Sequence, residues 1–169
     1  MTGLILTRVL IDGAILTVVL SAALVLMLVL NPRLALSDYP EDVKAAVPPR
    51  TRRELLLGVA LSIPMLIVAV AIPLYSAWLV RTQSGAGLAY GTAFAIFLGE
   101  YFLFYAFDLI VLDLGMFYLW TPKFLVLPGT EGMPGYKDWR PHVKAQLTTG
   151  SLIVVVLSAL LAVVTAVVW

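Results

Sequence analysis

Four carboxylates of this 169-residue chain fall inside long apolar runs: Asp12 in the first, and Glu100, Asp108 and Asp113 together in residues 88–121. An acid at mid-membrane costs about 2.5–3.5 kcal/mol on insertion scales, so such groups face a bundle interior or a wet cavity, paired or protonated. Two carboxylates sharing a desolvated site hold a proton or a cation between them. Asp12, Glu100, Asp108 and Asp113 are therefore the candidate proton- or cation-binding residues. Arg8 stands four residues before Asp12, the spacing of an ion pair on one helical face. At about 100° per residue, Glu100 and Asp108 lie about 80° apart on a sector shared with Phe97, Phe104, Val111 and Gly115. Asp113 falls about 140° from both on the same count, so it is expected to meet a different partner nearer the cytoplasmic end.

The elements that must position these groups are membrane spans. The chain is 62% hydrophobic and 12% charged, against about 45–50% and about 25% for a soluble domain. A net charge of +1 leaves no basic face for nucleic acid. The absence of cysteine excludes disulfides, thiolate metal sites and cysteine nucleophiles. Apolar segments cover about residues 4–30, 55–80, 88–121 and 152–169, each near or above the roughly 20 residues a span requires. The first is too long for the apolar core of a signal peptide and reads as a retained span. The fold expected is an all-α membrane protein, one domain over 1–169, built as a four-helix transmembrane bundle.

Loops 31–54 and 122–151 hold nine of the eleven Lys and Arg residues. Placing both loops in the cytoplasm and both termini on the outer side satisfies the positive-inside rule. Asn31-Pro32 and Thr121-Pro122 close the first and third helices. Thr51 and Glu54 have the spacing of a capping box that opens the second. Pro64 and Pro73 are expected to kink that helix. Gly13, Thr17 and Ser21, and likewise Ser158, Ala162 and Ala166, form small-residue stripes suited to close packing, within the bundle or in a homo-oligomer.

The third loop carries Gly129, Gly132 and Gly135 among prolines. No GxxxxGK[ST] pattern accompanies them, so an ordered turn-rich loop is expected ahead of a phosphate cradle. Lys123, Lys137, Arg140, His142 and Lys144 are the candidate contacts to anionic headgroups or a phosphate. His142 is the only histidine and cannot build a multi-histidine metal site; whether the chain binds a metal is left open. Asp138, four residues earlier, is its expected partner. No GxSxG elbow appears. The first loop, with Asp38, Glu41 and Asp42 answered by Lys44, Arg50, Arg52 and Arg53, reads as a solvated, self-neutralising connector.

The segments DYPEDVKAAVPP (38–49) and WTPKFLVLPGTEG (120–132) resemble a group of small four-span bacterial integral membrane proteins of unknown function. The resemblance implies a bacterial inner membrane and brings no activity. Small multidrug transporters share the four spans and an acid in the first helix, but their short, charge-balanced loops differ from those here. Taken together, the residues lead to a small transport-type protein handling a proton or cation through intramembrane carboxylates, without a cofactor and with the lipid bilayer as its surroundings. Two alternatives stand beside it: a non-catalytic accessory or assembly subunit of a larger membrane complex, and an enzyme acting on a lipid or isoprenoid phosphate. No reaction motif is complete, which weighs against the enzyme.

Overall fold

The computed structural model describes residues 2–85 and 87–168. Among these the chain is helical, without strands, and four helices are long and apolar enough to cross a membrane. They are α1 (Thr2–Leu30), α2 (Arg52–Ser84), α3 (Tyr90–Trp120) and α4 (Arg140–Val168), of 29 to 33 residues. At about 1.5 Å per residue each exceeds the roughly 30 Å hydrocarbon core, so their ends extend beyond it.

Local chemistry sets the boundaries. Asn31 ends α1, and its side chain accepts from the Arg33 amide at 3.0 Å. Thr51 and Glu54 form the expected reciprocal capping box, and Glu54 also pairs with Arg33 at 2.6 Å. Gly85 closes α2 in the left-handed region at φ 64°. Thr121 closes α3 at φ 48°, with its amide bonded to Met116 O at 2.8 Å. Lys137 Nζ donates to Tyr118 O and to Thr121 Oγ1, both at 2.9 Å, placing a cation on the negative end of the helix.

Helix α4 starts at Arg140 rather than near residue 152. Asp138 Oδ1 accepts from the Arg140 amide at 3.1 Å, and Pro141 sits in the first turn, where its missing N–H costs nothing. Polar residues such as Gln146 and Thr149 hid this start from a reading based on hydropathy.

Helix α3 is the central element and packs on α1, α2 and α4. The bundle core gathers Leu16, Leu20, Ala77, Val80, Ile96, Phe97 and Leu161. Both small-residue stripes face inward: Gly13, Thr17 and Ser21 are buried on α1, and Ser158 and Ala162 on α4. Thr165 takes the buried place expected of Ala166, which is exposed. A Cβ at Gly13 would lie 2.7 Å from Leu103 Cδ1 and 3.2 Å from Glu100 Cα. Gly13→Ala is expected to lower stability by about 1–3 kcal/mol, as overpacking does, measurable as a lower unfolding temperature in detergent.

The two loops on one side of the bundle are not independent connectors. Leu36, Tyr39, Val43, Leu125, Leu127 and Tyr136 form a second core with Phe117 of α3. Tyr39 Oη donates to Leu125 O at 2.8 Å, and Asp42 Oδ2 accepts from the Gly135 amide at 2.9 Å. The first loop is thus half of a folded cap. The expectation of a solvated connector missed the apolar period of Leu34, Leu36, Tyr39 and Val43. The 120–132 segment owes its distinctive sequence to this cap. Leu125 and Leu127 are fully buried, and the Tyr136 hydroxyl holds the Leu127 amide at 3.0 Å and Thr130 Oγ1 at 2.7 Å. Gly129 and Gly132 take positive φ, which L side chains resist.

Candidate functional site

Two polar clusters lie along α3. The deeper one is centred on Glu100. Its close approach to Gly13 brings α1 alongside, and Ser76 of α2 borders it. Arg8 grips Asp12 through two contacts, Nε to Oδ2 at 2.9 Å and a terminal nitrogen to Oδ1 at 2.5 Å. The Asp12 side chain is almost fully buried, while Arg8 keeps a partly exposed flank. Glu100 is fully buried and makes no close hydrogen bond; the polar group beside its carboxyl is the Ser76 hydroxyl, itself without another partner. A buried carboxyl with so few partners is costly, so its position on a helix–helix contact is a constraint that packing alone does not require. Helices α1 and α3 pack together, which sets Asp12 within electrostatic reach of Glu100.

In the second cluster Asp113 meets a partner of its own, as expected, but it also shares a cleft with Asp108. From Asp108 to Trp120 the backbone of α3 forms wide π-type turns, and residues five apart come round onto nearly one face. Asp108 and Asp113 therefore line the same cleft. A second π segment, Gln146–Gly150, faces it from α4. The first residues of the two segments are joined, Gln146 Nε2 donating to Asp108 Oδ2.

This cleft, of about 560 Å³, lies between α1, the π segment of α3, the start of α4 and the first loop. His142 Nδ1 lies 3.2 Å from Asp113 Oδ1, and the imidazole rests on Phe117 with ring centroids 4.7 Å apart. Asp113, not Asp138, is thus the partner of the histidine: Asp138 is occupied in capping α4. His142 Nε2 is buried without a partner. Asp38 and Glu41 come from the first loop, and Lys44 pairs with Glu41 at 2.7 Å. Asp38 is exposed to the cleft by surface area, yet burial by the surrounding walls raises its pKa, with Asp113 as a minor contributor. A raised carboxyl pKa favours the folded state at low pH, and that contribution is lost as pH rises through the folded value. Asp38 was missed as a site residue because loop charges near basic residues look self-neutralising.

The remaining candidates do not join either cluster. Lys123, Lys137, Arg140 and Lys144 are exposed around the cap. Two of the three glycine amides of the third loop are already taken: that of Gly129 binds the Glu131 carboxylate, at 3.0 Å to Oε2, and that of Gly135 binds Asp42. Among the described residues no three His, Asp or Glu side chains converge as metal ligands.

Comparison with protein-family models, with curated proteins and with solved structures finds no match to the chain.

Proposed function

We propose that this multi-pass protein is a small transporter of a bacterial inner membrane that exchanges protons through α3. Glu100, next to Asp12, serves as the deep proton-binding group, and Asp108 with the Asp113–His142 pair serves the cytoplasmic mouth. The observation that carries this reading is Glu100 itself: a fully buried carboxyl with only the Ser76 hydroxyl and the Arg8–Asp12 pair for polar neighbours, on the helix that also builds the acidic cleft. Intramembrane ionisable groups of this kind mark ion and proton pathways. Eight residues separate Glu100 from Asp108, about 12 Å along a helix. The intervening Tyr101 and Tyr105 hydroxyls are engaged with Ala69 O of α2 and with Gln146 O and Ser151 Oγ of α4. Proton passage therefore requires α3 to shift, and the π turns are its least regular part.

The positive-inside count supports both termini outside. The packing of Tyr39 on Leu125 and of Asp42 on Gly135 fits both basic loops lying on one side. An enzyme for a lipid or isoprenoid phosphate has little support: the cleft is acidic, and the Gly129 and Gly135 amides are already bonded to carboxylates. The accessory-subunit reading has one observation in its favour. The most apolar window of α2 has no buried residue, a length that either lipid or a partner helix would cover.

The reading is tested by proton uptake into liposomes carrying the purified chain under an imposed pH gradient. Asp108→Asn is expected to slow uptake about tenfold or more, in the range for removing a positioned acid–base group. Wild-type rates in that variant would remove Asp108 from the route.

A further inference from the structure

The cleft has a chemical bias that proton handling does not require. Its lining sets four acids, Asp38, Glu41, Asp108 and Asp113, against one lysine, Lys44. Lys44 Nζ is held by Glu41 and by Ser37 O. Gln146 Nε2 is given to Asp108, and the Tyr39 hydroxyl to Leu125 O. Asp38, with the Ser37 hydroxyl bonded to it and Arg50 in its vicinity, and Asp108 and Asp113 still outnumber the cations around them. His142 faces Asp113 through Nδ1, while its Nε2 is enclosed away from the open cleft. The Tyr39 and Phe117 rings line the same cleft, and aromatic faces attract organic cations.

The same cleft also has apolar walls. Leu24 and Leu28 of α1, Leu112 and Met116 of α3 and Ile153 of α4 line it. Helices α1 and α4 each pack along α3 but make little contact with each other, so the cleft opens sideways between them, where a bilayer leaflet would lie. A volume of about 560 Å³ falls within the range of small-molecule sites, about 300–1,000 Å³.

We propose that this cleft binds an amphiphilic organic amine, its ammonium head among Asp38, Asp108, Asp113 and His142 and its apolar body between α1 and α4. As the substrate of a proton-linked exchange the amine rests on the transport reading; as a ligand it rests on the cleft alone. The ammonium supplies the positive charge in which the cleft is short. An anionic or uncharged amphiphile of the same size would leave the acids unanswered.

The test uses the full chain in phosphatidylcholine nanodiscs, with dansylcadaverine as the probe, a primary ammonium on an apolar fluorescent ring. The control is the dansyl amide of the same length ending in a hydroxyl. Fluorescence anisotropy should rise saturably with the ammonium probe, above empty nanodiscs, and not with the control. Asp108→Asn and Asp113→Asn should each weaken binding by about tenfold or more, as expected for losing a charge-assisted contact. Asp138→Asn, outside the cleft, should leave it unchanged. Hexylamine, but not hexanol, should displace the probe from the wild-type chain, a comparison that needs no variant to fold. Absence of saturable binding, equal binding of the hydroxyl analogue, or indifference to both cleft variants would overturn the proposal. Binding without proton flux in the wild-type chain would keep the site and remove the transport reading; flux without binding would do the reverse.

Discussion

Replacing Asp12 by alanine is expected to destabilise the bundle by about 3–5 kcal/mol, the range for removing one partner of a buried ion pair. Arg8 makes two short contacts to this carboxylate and has no other hydrogen bond among the described residues. Without Asp12 its guanidinium keeps the cost of desolvation and loses the compensating charge. The nearest remaining acid is Glu100, whose position is fixed by the packing of Gly13 on its backbone. The double replacement Arg8→Met with Asp12→Leu removes both charges together, and is expected to recover most of the loss. Urea unfolding in mixed micelles checks both variants. An Asp12→Ala chain as stable as the wild type would mean that Arg8 escapes along its exposed flank to the headgroups.

Gly135→Val is the second large effect. A Cβ there would lie 2.0 Å from Asp42 Oδ1 and 2.7 Å from Pro40 Cβ, where no real contact exists. The loop must move, and the bond from the Gly135 amide to Asp42 goes with it. Overpacking costs about 1–3 kcal/mol, and a hydrogen bond to a charged group about 1.5–3 kcal/mol. Together these suffice to detach the third loop from the first. Limited proteolysis should then cut within residues 122–139 much faster than in the wild type, while the four helices stay intact by circular dichroism. Because Tyr39 and Phe117 belong to both the cap and the cleft wall, amine binding should fall in the same variant. Unchanged protease resistance would contradict the cap as described.

Much of the bundle was legible in the sequence because hydropathy, proline stops and a capping box act locally. Asn31-Pro32, Thr51 with Glu54, and Thr121-Pro122 each ended or opened a helix where expected. The Arg8–Asp12 pair and its nearness to Glu100 were legible too, since helical spacing and Gly13 fix them. The partition of the acids was not. A period of about 100° per residue separates Asp113 from Asp108, whereas the π turns bring them onto one cleft. No residue type marks a π segment, so the shared cleft did not show in the period, although the separate partner of Asp113 did. The His142 pairing failed for a related reason. Asp138 satisfies local spacing, but its carboxylate caps α4, and the true partner lies 29 positions earlier in the chain (142 − 113). The cap was hidden because Tyr39 and Val43 find their apolar partners some 80 to 100 residues away, in the third loop.

The central claim is that Glu100 carries protons across this protein. Its most direct test is proton uptake by liposomes containing the wild-type chain, beside liposomes containing Glu100→Gln at equal protein density. Glutamine keeps the shape of the side chain and cannot exchange a proton. The account predicts uptake above that of empty liposomes for the wild type, and uptake at the empty-liposome level for the variant. Equal uptake by the two chains, or none by the wild type, would contradict it.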